Sequence, residues 1–209
     1  MMQKFRWIYA SVSFLLLGVL IALGYFFFDR PVAFFCRALD QRIIDVFQWI
    51  TVLGVATGYL IGFFILFLFF RFVVHRRRYA RQALFLFVST AAAGITTDIV
   101  KFIVGRYRPK MLFEQNLYGM DPFRIGYEYT SFPAGHATTV FATAMALALI
   151  FPKWRLLFFS FALIVAASRV IIGAHYLGDV LAGIYIGVVT VFIVAWAGRR
   201  YTRRNSAGY

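Results

Sequence analysis

The chain has a single cysteine, Cys36, among 209 residues. One thiol cannot close a disulfide within the chain, so no covalent cross-link holds the fold. Acidic side chains are scarce too: eight, against 22 lysines and arginines, for a formal charge of +14. There is no long linker, low-complexity tract or short repeat, so one domain over residues 1–209 is the expectation. No small-residue cleavage site follows the first apolar run. That run therefore reads as a retained helix, not a signal peptide.

What the chain has is apolar mass. It is 62% hydrophobic and 20% aromatic, with 26 phenylalanines, which is too apolar for a soluble domain of this length. Runs of about 18–20 apolar residues cross a bilayer as helices. Six are present, at 7–28, 55–74, 83–104, 137–151, 156–172 and 180–197. Some are short because polar residues cluster at one end. The fold class expected is an all-α bundle of six transmembrane helices.

The basic excess invites a nucleic-acid partner, but its distribution argues against one. Lys4 and Arg6 precede the first run, and Arg71, Arg76, Arg77, Arg78 and Arg81 follow the second. Lys153 and Arg155 separate the fourth from the fifth, and Arg199, Arg200, Arg203 and Arg204 follow the sixth. If six helices alternate, all these lie on one side. Asp29, Asp40, Asp45, Glu114, Asp121, Glu128 and Asp179 lie on the other. This is the positive-inside pattern, with both termini cytoplasmic. The charge is then topology, and no aromatic-plus-basic reading surface stands apart from the helix flanks. Between the first two runs, Val32, Phe35, Leu39, Ile43, Phe47 and Ile50 recur at helical spacing, with Pro31 near the start. They predict one amphipathic helix at the outer interface, or else a capping loop.

Ionisable residues at membrane depth are costly and by default face a cavity or each other. Four such places occur: Asp98 with Lys101, the segment GRYRP that follows, His136 in SFPAGHATTV, and SRVIIGAHYLGD between the last two runs. Alternation of the helices brings all four to one outer level. Taken singly, Lys101, Arg106 and Arg108 could be snorkelling anchors, His136 an interfacial residue on a loop carbonyl, and Asp179 a helix cap. Together they suit a phosphate. Lys101, Arg108 and Arg169 offer charge and planar donor forks. The N–H groups of Gly135 and His136 open a helix, and a helix N-terminus favours anions. His175 and Asp179, four apart, would share a helical face, the carboxylate holding one ring nitrogen protonated and leaving the other nucleophilic. His136 is free to protonate a leaving oxygen. A zinc site of two histidines and an aspartate is the weaker alternative, since three adjacent cations repel a metal ion.

These residues resemble the type 2 phosphatidic acid phosphatase superfamily. Lys101, six residues, then Arg108 and Pro109 match its first motif. Pro133, Ala134, Gly135 and His136 match the second, Pro-Ser-Gly-His, except at Ala134. Ser168, Arg169, His175 and Asp179 match the third in order and spacing. The direct resemblance covers about residues 95–185. It implies an active site at the outer membrane–water boundary, with His175 as nucleophile through a phosphohistidine, Asp179 assisting and His136 as acid. Lys101, Arg108, Arg169, Gly135, Ser168 and the backbone at Ala134 would hold the phosphate. It implies no metal or other cofactor, and a partner drawn from the bilayer. Bacterial relatives act on undecaprenyl diphosphate, phosphatidylglycerol phosphate, phosphatidic acid or lipid A phosphates, and the compact six-helix form is similar to the lipid A phosphatases. The aromatic segment between the first two motifs would lie over the site. A lipid-to-lipid phosphotransferase and a non-catalytic lipid-binding or transport protein are the alternatives. A vanadate haloperoxidase, also in that superfamily, would need bound vanadate.

Overall fold

Apolar stretches with few turn residues fold as helices, and in the computed structural model every regular element among the described residues is helical. The structure describes the backbone over residues 2–206 and side chains over 12–200. Lys4, Arg6, Arg203 and Arg204, part of the expected inside-positive set, have side chains outside that range. Helix α1 (Met2–Leu23) runs through a π turn, Gly24–Phe28, into α2 (Asp29–Arg37). Helices α3 (Gln41–Val52) and α4 (Ala56–Leu68) follow, and a second π turn, Phe69–Val73, extends α4. Then come α5 (Arg77–Val104), the short α6 (Pro109–Gln115), α7 (Gly135–Ile150), α8 (Arg155–Ile171) and α9 (Leu177–Ser206). Among the described residues the strand pairing consists of a single bridge, Arg106 to Met120.

Among the described residues, five segments are long and apolar enough to cross a membrane: Val12–Arg37, Gln41–Val73, Arg77–Val104, Pro152–Ile171 and Leu177–Arg200. The sixth expected run corresponds to α7, apolar but shorter. The amphipathic helix expected over 31–50 is two helices instead. Asp40 interrupts it, accepting a hydrogen bond from the Arg42 N–H at 2.8 Å and capping α3. An aspartate makes a better cap than a mid-helix residue, because its short carboxylate competes for backbone N–H groups.

Helix α7 lies at the centre, packed by α5, α8 and α9. Its contacts with α9 rest on Gly183 and Gly187, one turn apart. A Cβ at Gly183 would stand 2.5 Å from the Ala134 carbonyl oxygen, and one at Gly187 would stand 2.6 Å from that of Thr138. Small residues let helix backbones approach closely where lipid offers no hydrophobic drive to associate. Ala137, Ala144, Ala162 and Ala166 are buried in the core cluster that α7 and α8 share. The 16 residues of α7 span about 24 Å, less than the ~30 Å of hydrocarbon. Ala134 and Ala137, which flank the start of α7, are fully buried, so the N-terminus of α7 is recessed inside the bundle.

Candidate active site

Five pieces of chain meet at that recessed helix mouth. Helix α5 delivers the first cations. Gly105, in the left-handed conformation with φ 58°, ends α5 and donates its N–H to the Lys101 carbonyl at 2.9 Å. Lys101, one turn back, reaches the start of α7: a Cβ on Gly135 would lie 3.3 Å from its Nζ. Glycine is thus the residue that leaves the ammonium its place. Past the turn, Arg108 is fixed by carbonyls. Its Nε donates to Tyr127 O at 2.7 Å, Nη1 to Ala174 O at 3.1 Å and Nη2 to Thr130 O at 3.3 Å. The Tyr127 ring lies 3.8 Å from its guanidinium carbon, a cation–π contact. Burial lowers the Arg108 pKa from its ordinary value. The aromatic segment expected over the site is therefore one of its walls.

Arg169, near the end of α8, donates from Nη1 to Thr51 Oγ1 at 2.7 Å, and its buried Nε has no hydrogen-bond partner among the described residues. His136 occupies the first turn of α7. A Cβ on Gly54 would come within 2.8 Å of its Cδ2, so the α3–α4 turn seats the ring. Lys101, Arg108, Arg169 and His175 are all electrostatic neighbours of His136.

His175 does not sit on a continuous helix with Asp179, because α9 begins at Leu177. Its Nδ1 is 2.7 Å from Ser131 O, whereas Asp179 Oδ2 is 3.8 Å away, beyond hydrogen-bond reach. A carbonyl can only accept, so Nδ1 carries the proton and Nε2 the lone pair. The ring is buried, and burial, the main cause, pulls its pKa down to about 4. It is a neutral imidazole near pH 7.

The expected direct Asp179–His175 bond is replaced by a brace. Asp179 Oδ2 accepts from the Tyr176 N–H at 2.9 Å and from Ser131 Oγ at 2.6 Å. The first contact is the reach-back half of a capping box, so the simple capping reading of Asp179 holds in part. Its Oδ1 accepts from Arg106 Nη1 at 2.6 Å, and Arg106 Nη2 donates to Asp29 Oδ2 at 2.7 Å. All three ionic side chains are 0–1% exposed. Burial opposes the charge on Arg106, but Asp179 and Asp29 outweigh it and hold the guanidinium above its ordinary pKa. Arg106 is thus no snorkelling anchor.

Ser168 is buried with its hydroxyl donating to Val165 O at 2.6 Å, so that proton is engaged within α8. Ala134 is fully buried as the residue before α7. Its N–H donates to Asp179 O at 2.9 Å and its carbonyl accepts from Thr138. Asp98 is largely exposed and only 3.9 Å from Lys101, a peripheral contact. Sequence reasoning missed Asp29, Arg106, Ser131, Thr51 and Gly54 as parts of the site. Only the first two had a signal, as charges beside an apolar run.

The PAP2 superfamily profile matches residues 82–203. Among curated proteins, the lipid A 1-phosphatase of Rhizobium etli is 35% identical over 118 residues, 54% of this chain and 51% of that protein. The undecaprenyl-diphosphatase of Sulfolobus acidocaldarius is 32% identical over 112 residues, 53% of this chain and 52% of that protein. The matches span about half the length of these relatives. Among solved structures, the transmembrane PAP2-type phosphatidylglycerolphosphate phosphatase of Bacillus subtilis superposes with a TM-score of 0.66 at 21% identity, covering 90% of this chain and 96% of its own. Aquifex aeolicus LpxE gives 0.59 at 21% identity, covering 79% and 93%. At that identity these two likenesses concern the fold, which is that of helical, multi-pass membrane proteins.

Proposed function

The chain belongs to the PAP2 superfamily, and on that premise we propose that it is a phosphatase of a membrane lipid phosphate, working through a phosphohistidine. The observation that carries the reading is the Nδ1–H tautomer of His175. With Nδ1 engaged by the Ser131 carbonyl, Nε2 is the nitrogen left to attack, and Arg108 and Arg169 are electrostatic neighbours of the ring, as Lys101, Arg108 and Arg169 are of His136 at the N-terminus of α7. Those groups hold and neutralise the phosphoryl oxygens. Nε2 attacks phosphorus and forms the N–P bond as the bond to the lipid oxygen breaks. His136 gives that oxygen its proton. Water then attacks the phosphohistidine, His136 takes the water's proton, and phosphate leaves with His175 restored.

The cationic residues carry the charge that a divalent ion supplies in many phosphoryl-transfer sites, so no metal is needed. The substrate proposed is a lipid A phosphate, supported by the Rhizobium relatives, with undecaprenyl diphosphate and phosphatidylglycerol phosphate as the next classes. The site faces the outside of the inner membrane and both termini face the cytoplasm. The cluster Arg76, Arg77, Arg78 and Arg81 at the opposite end of α5 from Lys101 supports this. The test is phosphate release from a panel of purified lipid phosphates, with and without EDTA. Release from lipid A that survives chelation is expected. Activity that chelation abolishes and added magnesium or zinc restores refutes the metal-free reading.

A further inference from the structure

We propose that Asp29 is a positioning residue for the His175 nucleophile, acting through Arg106 and Asp179 from the first membrane-crossing segment. This rests on the phosphohistidine reading above. Asp29 lies outside residues 82–203, the region that matches the superfamily profile.

The geometry is a closed relay. Asp29 is 0% exposed although it sits at the start of α2, on a segment otherwise mostly bare of protein neighbours. Its two oxygens do different things. Oδ2 takes Arg106 Nη2 at 2.7 Å, and Oδ1 takes the Gly178 N–H, in the first turn of α9, at 2.9 Å. Arg106 passes the constraint to Asp179, which binds Tyr176 N and Ser131 Oγ on its other oxygen. The Ser131 carbonyl then holds His175 Nδ1. The turn that carries the nucleophile is thereby tied at Tyr176, Gly178 and Asp179. These three ties lead to Asp29 or to its partner Arg106, while the N–H groups of Ala174 and His175 are held separately by the Arg169 carbonyl.

The space around Asp29 leaves no substitute. A Cβ on Gly178 would stand 3.2 Å from Asp29 Oδ2, and one on Gly24 would stand 3.6 Å from Oδ1. Arg106 is enclosed by the rings of Tyr25, Tyr118 and Tyr176, at 5.0, 5.6 and 4.5 Å from its guanidinium carbon. If Asp29 loses its charge, Asp179 is the one carboxylate that still pairs with Arg106, whose Nη2 keeps only the neutral Tyr118 hydroxyl at 3.2 Å. The guanidinium shifts, and the carboxylate must follow it or release Tyr176 and Ser131. Either move turns the His175 ring. Phosphate binding does not suffer in the same way, because Asp29 touches none of Lys101, Arg108 or Arg169, and losing its negative charge favours a dianion.

The consequence is a split between kinetic constants. In the full-length protein in detergent, assayed on the lipid phosphate that the wild type hydrolyses, Asp29→Asn is expected to lower kcat at least tenfold with KM unchanged or reduced. Asp29→Glu, which keeps the carboxylate, should recover part of the loss. Ser131→Ala, which removes one tie but keeps the carbonyl, should lower kcat less, and the double variant should lose less than the product of the two. A kcat equal to wild type in folded Asp29→Asn overturns the proposal. Should that variant not fold, an unchanged kcat in Ser131→Ala overturns it. The His175 Nδ1 proton resonance supplies a readout independent of turnover: it should move in Asp29→Asn or, should that not fold, in Ser131→Ala. A wild type that releases no phosphate refutes the phosphatase reading instead, and the resonance still decides the relay.

Discussion

Residue 134 separates two uses of one hydroxyl. The superfamily motif has serine where this chain has Ala134, at the position that caps α7. A serine there can donate to a phosphoryl oxygen, an interaction with a charged group worth about 1.5–3 kcal/mol, or roughly 10- to 150-fold in rate if made in the transition state. Ala134→Ser is therefore expected to raise turnover about tenfold or more, measured on the lipid the protein hydrolyses. If the oxygen instead accepts the N–H of Ala137, the gain appears as about 1 kcal/mol of stability with turnover unchanged. A lower rate with no stability gain would show that the pocket is built around alanine.

His175 yields a pH prediction. Its folded pKa of about 4 lies below the 6.5 of the free side chain. Between those values the unfolded chain holds the proton and the native site does not. Its contribution to stability is complete above pH 6.5 and is lost as pH falls toward 4. The nucleophile stays neutral over the same window. Labelling of the enzyme by an aryl phosphate with a good leaving group, corrected for substrate ionisation, should be nearly as fast at pH 5 as at pH 7. A midpoint near 6.5 would mean that the ring is hydrated.

At the level of helices, α7 and its glycine contacts set the depth of the site. Replacing Gly183 by alanine puts a methyl group 2.5 Å from the Ala134 carbonyl, a backbone atom that cannot rotate away. Overpacking of this kind costs about 1–3 kcal/mol. Here it also displaces the residue before the helix mouth from Asp179, whose carbonyl holds Ala134 N–H. Gly183→Ala should lower both the melting temperature in detergent and phosphate release. Gly58→Ala, in α4, where nothing among the described residues lies within 4 Å of the added Cβ, should change neither. Equal melting temperatures for the two variants would show that α9 can slide on α7 without cost.

For the whole molecule, orientation is the open quantity. If the arginine cluster is cytoplasmic, a cysteine placed in the 117–123 loop should react with an impermeant reagent added from outside, and one at Ser206 should not. The background is favourable, since the native Cys36 is buried. The opposite labelling pattern would put the site on the cytoplasmic face and exclude outer-leaflet substrates.

Composition and spacing were enough for the helical class, the approximate membrane segments and the convergence of Lys101, Arg108, His136, Arg169 and His175. Each follows from local information: runs of apolar residues, and charges placed where a bilayer penalises them unless they share a site. Long-range packing assigns each polar group its partner. Spacing of four suggested that Asp179 bonds His175, but spacing implies a shared face only on a continuous helix, and the helix starts after His175. The Ser131 carbonyl, 44 residues away, accepts the Nδ1–H bond instead. Likewise Asp29 and Arg106, 77 residues apart, meet only because α1 and α2 pack on the start of α9. A buried charge announces that it needs a partner, but the fold, through long-range packing, selects which one.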